Sequence, residues 1–376
     1  MKTRTAKKTG GYLLNAVLSA AVIAVSVMAP DFGATVKGVT IVWQLCYFII
    51  LSCSLNLVIG FLGQLSLGHC GFMAVGAYTA ALISLAFQRA GFYTDKGGGA
   101  FLLVLLICIV AAGILAALVG VLVGIPALRM KGDYLAIITL GFGLIIVNII
   151  NNLPFCGMDG LSKGSAASAL YANGLGFVAG QLITWLWLPV ALTILSVIMM
   201  YMFVRSKYGR AITAIRDNEI AAAASGVNVS HFKVLTFVVG AFFAGIAGAI
   251  FAMCSSTLST ASFNFTSSSI LNSTFIVVMV VIGGMGSLTG SSVAAVLLYL
   301  LNYTIKNGKW VAVLPVFLRQ LFAYPMLVYS IVMVIVIIFR PHGIFGTYEF
   351  SLYNSLKRLF SKRRTAAAAK EVTDNE

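Results

Sequence analysis

Long apolar runs separated by short polar breaks occupy this chain from residue 12 to residue 339. Hydrophobic residues make up 60% of the sequence and charged residues 9%, and the mean hydropathy is +1.01. A run of about 20 apolar residues is long enough to cross a bilayer as a helix, which satisfies its own backbone hydrogen bonds. The pattern therefore predicts an all-α, polytopic membrane protein, and it leaves no stretch long enough for a soluble domain.

The apolar runs predict about ten transmembrane helices, some of them short or interrupted by glycine. They lie at 12–29, 39–57, 70–87, 101–124, 134–152, 185–204, 234–254, 270–282, 290–305 and 315–339. The predicted organisation is a basic N-terminal tail at 1–11, a transmembrane domain at 12–340 and a polar C-terminal tail at 341–376.

The net charge of +15 is explained by membrane topology. Most lysines and arginines lie in the two tails and in the segment 205–233, which the alternation of spans places on one side. Positively charged residues accumulate on the cytoplasmic side, so we expect both termini in the cytoplasm. No nucleic-acid partner is needed to account for the charge. The basic start also resembles a signal peptide, but the length of the first run and Pro30 after it favour an uncleaved span.

A mixed-charge block at 205–233 stands between two apolar runs. Charged side chains are costly at the bilayer centre, so this block must lie outside the lipid. Within it, Glu219, Ala222, Ala223 and Gly226 have the spacing of one face of a short helix. That face is small and nearly featureless, which suits docking into a groove of another protein.

Two glycine-rich interruptions break the apolar pattern, GFLGQLSLGHCG at 60–71 and GGMGSLTG at 283–290. Irregular backbone at membrane depth persists where protein or a water-filled cavity satisfies its polar groups. The interruptions fit either tight helix–helix turns or segments that line a transport pathway, and the two roles are compatible. The candidate pathway residues are Gly60, Gly63, Gln64, Ser66, Gly68, Gly71, Gly283, Gly284 and Gly286.

The sequence lacks the motifs of several kinds of chemistry. It contains no GxxxxGK[ST] phosphate-binding loop, no HExxH and no cysteine–histidine cluster, so we expect no bound nucleotide of that type and no metal. All ten acidic residues fall outside the predicted spans, which disfavours a proton-driven carrier. Asp133 precedes the span 134–152 and is interpreted as its N-cap.

Several motifs together resemble one family. They are LNLVIGFLGQLSLGHCGFMAVGAYTAAL (55–82), RMKGDYLAIITLGFG (129–143), GRAITAIRDNEIAAAASGVNVSHFKVLTFVVGAFFAGIAGAIFA (209–252), VVIGGMGSLTGSSVAA (280–295) and FRPHGIFG (339–346). These segments are similar to permease subunits of bacterial ABC importers of the branched-chain amino acid type, the LivM-like family. The resemblance covers 55–346, most of the chain.

The resemblance implies a transport subunit of the bacterial inner membrane, not an enzyme, working by alternating access. It implies two ATPase subunits, a second permease subunit and a periplasmic solute-binding protein as partners, besides the lipid bilayer. No cofactor is expected on this chain, because ATP-Mg would bind the ATPases. The residues that match the family's ATPase-coupling motif are Gly209, Arg210, Arg216, Glu219, Ala221, Ala222 and Gly226.

The substrate is less constrained. The family commonly has Thr-Gly-Gly after the fifth span, whereas this chain has CGMDGL at 156–161, and its segment 255–269 lacks a proline common in the family. Branched-chain amino acids are the leading assignment, and urea or short amides are the alternative. A stand-alone secondary carrier or facilitator, with 205–233 as an ordinary loop, is the alternative of a different class.

Overall fold

The structure is a computed structural model that describes residues 36–89, 98–127, 134–153, 187–255, 258, 260–263, 273–307, 325–340, 343, 344 and 346. In these ranges the elements of secondary structure are helices, which confirms the all-α prediction. They are α1 (Val36–Asn56), a π-helical turn (Leu57–Phe61), α2 (His69–Arg89), α3 (Gly98–Ala127), α4 (Tyr134–Asn152), α5 (Trp187–Arg205), α6 (Lys207–Asp217), α7 (Glu219–Ala224), α8 (Val229–Cys254), a 3₁₀ turn (Thr260–Phe263), α9 (Ser273–Gly283), α10 (Leu288–Asn307) and α11 (Pro325–Phe339).

Seven helices in the described ranges are long and apolar enough to cross a membrane. They contain the segments Ile41–Phe61, His69–Phe87, Leu103–Ala127, Tyr134–Asn152, Trp187–Arg205, Val229–Met253 and Leu288–Ile305. Two shorter apolar helices, Ser273–Gly283 and Ser330–Phe339, match two further predicted spans. The predicted span 12–29 lies outside the described residues, so the count of ten and the orientation of the termini stay predictions.

The first described helix, α1, lies in the interior of the bundle. In the apolar stretch Ile41–Phe61, 94% of the residues are buried. In the stretch Trp187–Arg205 of α5 the share is 28%. Helix α1 packs against α5, α8, α9 and α10. A helix covered by neighbours needs no polar face toward water, and the few polar side chains in the buried part of α1, such as Ser52 and Asn56, bind groups of other helices or of the backbone.

Helix α8 packs closely against α2 through glycines. A Cβ added at Gly76 of α2 would lie 2.2 Å from the carbonyl oxygen of Gly245, and one added at Gly248 would lie 2.1 Å from the carbonyl oxygen of Met73. Association of helices in lipid depends on close packing more than on the hydrophobic effect, so small residues at crossings stabilise the bundle.

The outer helices expose large apolar side chains. Those on α3, α4, α5 and α11 include Leu122, Ile137, Met202 and Ile338. An exposed apolar surface of this extent is characteristic of proteins that contact lipid or another subunit.

Both glycine-rich interruptions lie between helices, as predicted. Helix α1 continues into the π-helical turn, and an irregular segment 62–68 leads to α2. Helix α9 ends at Gly283 and α10 begins at Leu288. Gly63, Gly284 and Gly286 have positive φ angles, a conformation that glycine adopts without steric cost.

Candidate functional site

The charged block between α5 and α8 folds into the short helices α6 and α7, and side chains cap the start of each helix. The Ser206 hydroxyl accepts hydrogen bonds from the backbone N–H groups of Tyr208 and Gly209, at 3.1 and 3.4 Å. Asn218 Oδ1 accepts two bonds at the start of α7, and Asn228 Oδ1 accepts one at the start of α8. Such caps each stabilise a helix by about 1 kcal/mol, so the block has defined helix ends.

The predicted small face is wrong in part. Helix α7 ends at Ala224, and Gly226 lies beyond it with φ +85°, while Val227 N donates to the Ala222 carbonyl at 3.1 Å. This left-handed glycine terminates the helix, so Gly226 does not continue the face. Ala222 is buried against the core, and Glu219 turns toward α8. The four residues therefore do not form one exposed surface.

The exposed side of α7 consists of other residues. Ile220 is 83% exposed, and Ala221, Ala223 and Ala224 are also exposed. Arg210 of α6 is exposed as well. We define these five residues as the outward patch. Ile220 was missed by the sequence analysis, although its position as a large apolar residue within a charged block is a signal.

Glu219 forms an ion pair with Lys233 at the start of α8. The Nζ–Oε2 distance is 2.8 Å, and the side chains are 48% and 7% exposed for Glu219 and Lys233 respectively. An ammonium group buried to this extent needs a partner, so the pair fixes the start of α7 against α8.

Gly209 shapes the corner between α5 and α6. A Cβ added there would lie 1.8 Å from the carbonyl oxygen of Val204, and the residue is buried. Gly209 therefore permits a sharp turn into α6.

Arg216 of α6 points toward the helix bundle. Its Nη1 donates to the Gly60 carbonyl at 3.0 Å, and its Nε and Nη2 donate to Asp217 Oδ1 at 3.2 and 3.1 Å. A Cβ added at Gly63 would lie 2.8 Å from Arg216 Cγ, and one added at Gly286 would lie 3.3 Å from Nη1. Arg216 thus binds the first glycine-rich interruption and lies next to the second.

Asn56, at the end of α1, joins this helix to the second interruption and to the start of α10. Its Nδ2 donates to the Ser287 carbonyl at 2.9 Å and to the Ser291 hydroxyl at 2.7 Å, and its Oδ1 accepts from Gly286 N at 3.0 Å. Asn56 is fully buried. Sequence reasoning missed it, although an asparagine just before a glycine-rich break in an apolar span is itself a signal.

The remaining glycines of the first interruption pack against α4. A Cβ added at Gly68 would lie 2.0 Å from the Thr139 carbonyl oxygen, and one at Gly71 would lie 2.9 Å from Gly143 Cα. Leu67 N donates to Thr139 Oγ1 at 3.2 Å. These glycines allow the backbone of α2 to approach that of α4.

The glycines of the second interruption also serve close contacts. A Cβ added at Gly283 would lie 2.6 Å from the Gly290 carbonyl oxygen, and one at Gly343 would lie 2.6 Å from Gly284 Cα. The segment after α11 therefore reaches the same end of the bundle.

The structure supports the tight-turn interpretation of the interruptions, and the pathway role stays a prediction. Gln64 Oε1 and Ser66 Oγ are buried and have no hydrogen-bond partner in the described part of the chain. Asp133 lies outside the described residues. Among the residues that the structure describes, no group of three or more His, Cys, Asp and Glu side chains could hold a metal ion.

Comparison with known proteins adds a family. The family described as "Branched-chain amino acid transport system / permease component" matches residues 39–339. The chain is 33% identical to the high-affinity branched-chain amino acid transport system permease protein LivM of Escherichia coli, over 79% of this chain and 67% of the relative. It is 33% identical to the LivM protein of Salmonella typhimurium, over 86% of this chain and 73% of the relative.

A more distant relative is a probable branched-chain amino acid transport permease protein LivM of Methanocaldococcus jannaschii. It is 23% identical, over 81% of this chain and 91% of the relative. No solved structure matches the chain. Because the family match spans most of the sequence, this chain belongs to the family of branched-chain amino acid transport permease components.

Proposed function

We propose that this chain is a transmembrane permease subunit of an ATP-driven ABC importer for branched-chain amino acids in the bacterial inner membrane. Two ATPase subunits, a second permease subunit and a periplasmic solute-binding protein would complete the complex. ATP-Mg would bind the ATPases, and this chain would supply the pathway without catalysis. Family membership and the printed names of the relatives support the substrate class.

The observation that carries the proposal is the exposed isoleucine between two membrane-spanning helices. Ile220 is 83% exposed on a segment that also bears exposed charged residues. Full burial of such a side chain is worth about 1.5 to 3 kcal/mol. A few large anchors commonly dominate the affinity of an interface, so Ile220 is suited to fill a pocket of an ATPase subunit.

The neighbours of Ile220 favour the same partner. Ala221, Ala223 and Ala224 are exposed and small, so they allow the backbone of a partner to approach α7 closely. The ion pair of Glu219 with Lys233 and the cap by Asn218 hold α7 against the spans. Closure of the ATPases would therefore move α5 and α8 together with the short helices, and alternating access would follow.

The first test of this proposal is assembly. Ile220→Glu places a charge in the interface, so we expect the ATPase subunits to be lost when the complex is purified in mild detergent. Ser230→Glu adds the same charge at an exposed position outside the outward patch and should retain them. Normal co-purification with Ile220→Glu would contradict docking at this surface.

The second test is transport. Proteoliposomes that contain the complete complex and the binding protein should take up leucine, isoleucine or valine only when ATP is supplied on the side of the membrane that carries the ATPases. Uptake of urea but not of these amino acids would favour the amide alternative. Uptake by the purified chain alone, without ATPases, would favour a secondary carrier or facilitator.

A further inference from the structure

We propose that Arg216 is a positioning residue for transport, which links α6 to the joint where the two glycine-rich interruptions meet. The inference rests on the proposed function, because it assigns a role within the coupling of ATP hydrolysis to uptake. In this arrangement Arg216 acts on the permease interior, and the outward patch acts on the ATPases.

Arg216 binds a carbonyl group in an irregular part of the backbone. The π-helical turn at the end of α1 carries hydrogen bonds from Leu62 N to the Leu57 carbonyl and from Gln64 N to the Val58 carbonyl. The Gly60 carbonyl accepts from Arg216 Nη1 at 3.0 Å. Such irregular turns need partners from outside the helix. A guanidinium group therefore completes the hydrogen bonding of the end of α1.

The backbone around Arg216 has a shape that glycine makes possible. Gly63 and Gly286 have φ angles of +76° and +91°, and a Cβ at either position would lie within 3.3 Å of Arg216. The backbone beside the Arg216 side chain is therefore glycine in both interruptions, Gly63 in the first and Gly286 in the second. The Arg216 side chain is 32% exposed, and its Nη1 reaches the bundle at the Gly60 carbonyl while Nε and Nη2 stay with the exposed Asp217.

The joint next to Arg216 consists of the end of α1 and the α9–α10 turn. Asn56 binds Gly286 N, the Ser287 carbonyl and the Ser291 hydroxyl, so the end of α1 and the α9–α10 turn are held together. A Cβ at Gly60 would lie 2.2 Å from Gly286 N, which shows how closely the two backbones approach. A displacement of α6 would be transmitted through the Gly60 carbonyl to both interruptions at once.

Asp217 orients the guanidinium group of Arg216. Asp217 Oδ1 accepts from Nε and Nη2, which leaves Nη1 directed at Gly60. Asp217 is 70% exposed, so this acceptor stays accessible to water. The fork of arginine allows both contacts simultaneously, and lysine cannot make them both. Arg216 is thus fitted to this position by geometry as well as by charge.

The experiment uses the complete complex in proteoliposomes with three variants, Arg216→Met, Arg216→Lys and the control Lys207→Met. Lys207 is an exposed cation on the same helix and has no place in the joint or in the outward patch. Three quantities are measured: co-purification of the ATPases, ATP hydrolysis, and substrate taken up per ATP hydrolysed.

We expect Arg216→Met to retain the ATPases and to hydrolyse ATP. Its uptake per ATP should fall by about tenfold or more, the effect of losing a hydrogen bond to a charged group. Arg216→Lys should give an intermediate value, and Lys207→Met should match the wild type. If Arg216→Met does not accumulate in the membrane, Arg216→Lys decides by the same three measurements.

Unchanged uptake per ATP in the Arg216 variants would overturn the inference. Loss of the ATPases from the Arg216 variants would also overturn it, because Arg216 would then act in docking, and the proposed function would still stand. An equal loss in Lys207→Met would show a general charge effect and would likewise overturn it. A wild-type complex without ATP-driven uptake would overturn the proposed function itself.

Discussion

At the scale of single residues, buried polar side chains determine how the helix ends meet. Asn56 binds two backbone groups of the α9–α10 turn and the Ser291 hydroxyl of α10, all of them away from water. A buried donor or acceptor left without a partner costs about 1 to 3 kcal/mol. The Asn56 amide is therefore one of the groups that stabilise this end of the bundle.

Replacement of that amide should destabilise the protein measurably. We expect Asn56→Ala to lower the free energy of unfolding by about 2 to 4 kcal/mol, since several polar groups lose their partner together. The thermal unfolding midpoint in detergent measures the effect. Asn152→Ala is the control, because Asn152 is exposed at the end of α4 and its amide binds only the Asn148 carbonyl of the same helix among the contacts described. Equal midpoints for the two variants would contradict this role of Asn56.

Two glycines of the charged block differ in what an added methyl group would meet. At Gly226 no atom lies within 4 Å of the new Cβ, but φ is +85°, so Gly226→Ala should cost about 1 to 2 kcal/mol of backbone strain. At Gly209 the Cβ would overlap the Val204 carbonyl, and the α5–α6 corner must shift. We therefore expect limited proteolysis at α6–α7 to accelerate more in Gly209→Ala than in Gly226→Ala. Gly141→Ala, in open space, should leave the rate unchanged, and the opposite order of rates would contradict the prediction.

At the scale of elements, the apolar pattern located the described spans because a bilayer requires long apolar helices. The predicted bounds of α4 coincide with the observed Tyr134–Asn152. The ends of the charged block were harder to place. Asn218 caps a new helix only because its side chain binds Ile220 N and Ala221 N. Spacing alone could not show that Ala222 faces the core, since that depends on how α7 packs.

The contacts between the interruptions were also beyond the sequence. Glycine content correctly marked 60–71 and 283–290 as breaks in the apolar pattern, yet a single sequence carries no sign that Gly60 and Gly286 are adjacent. The partner of Arg216 is a backbone carbonyl, which any residue offers, so no side-chain pattern pointed to it. The family resemblance implied a role for Arg216 in docking on the ATPases, and that role stays a prediction.

The ion pair between α7 and α8 should respond asymmetrically to substitution. Glu219→Gln leaves the nearly buried Lys233 ammonium without its counter-ion, whereas Lys233→Met leaves a half-exposed carboxylate that water can solvate. We expect Glu219→Gln to cost about 1 to 3 kcal/mol, between the values for surface and buried pairs. Lys233→Met should cost less, and the double variant should recover part of the loss. A double-mutant cycle on thermal unfolding measures the coupling, and additive effects would contradict it.

At the scale of the whole molecule, the contacts of Arg216 and Asn56 gather several helix ends at one end of the bundle. The ends of α1 and α9 and the start of α10 meet α6 there, and Ile344 N donates to the Ile282 carbonyl, which brings the segment after α11 to the same place. Both glycine-rich interruptions and the charged block therefore lie at the same end of the described bundle. The arrangement agrees with the relative sides assigned by the positive-inside rule.

The orientation of the helices across the membrane can be determined by labelling single introduced cysteines with a membrane-impermeant maleimide, in a variant whose native cysteines are replaced. Lys207→Cys and Leu65→Cys, both exposed in the structure, should react in inverted vesicles and not in intact spheroplasts. Asn152→Cys, at the far end of α4 from its contact with Gly68, should react in spheroplasts. Because cytoplasmic ATPases can reach only the inner side, reaction of Lys207→Cys from outside would exclude docking at the outward patch. Reaction of all three cysteines on one side would contradict the arrangement of the helix ends.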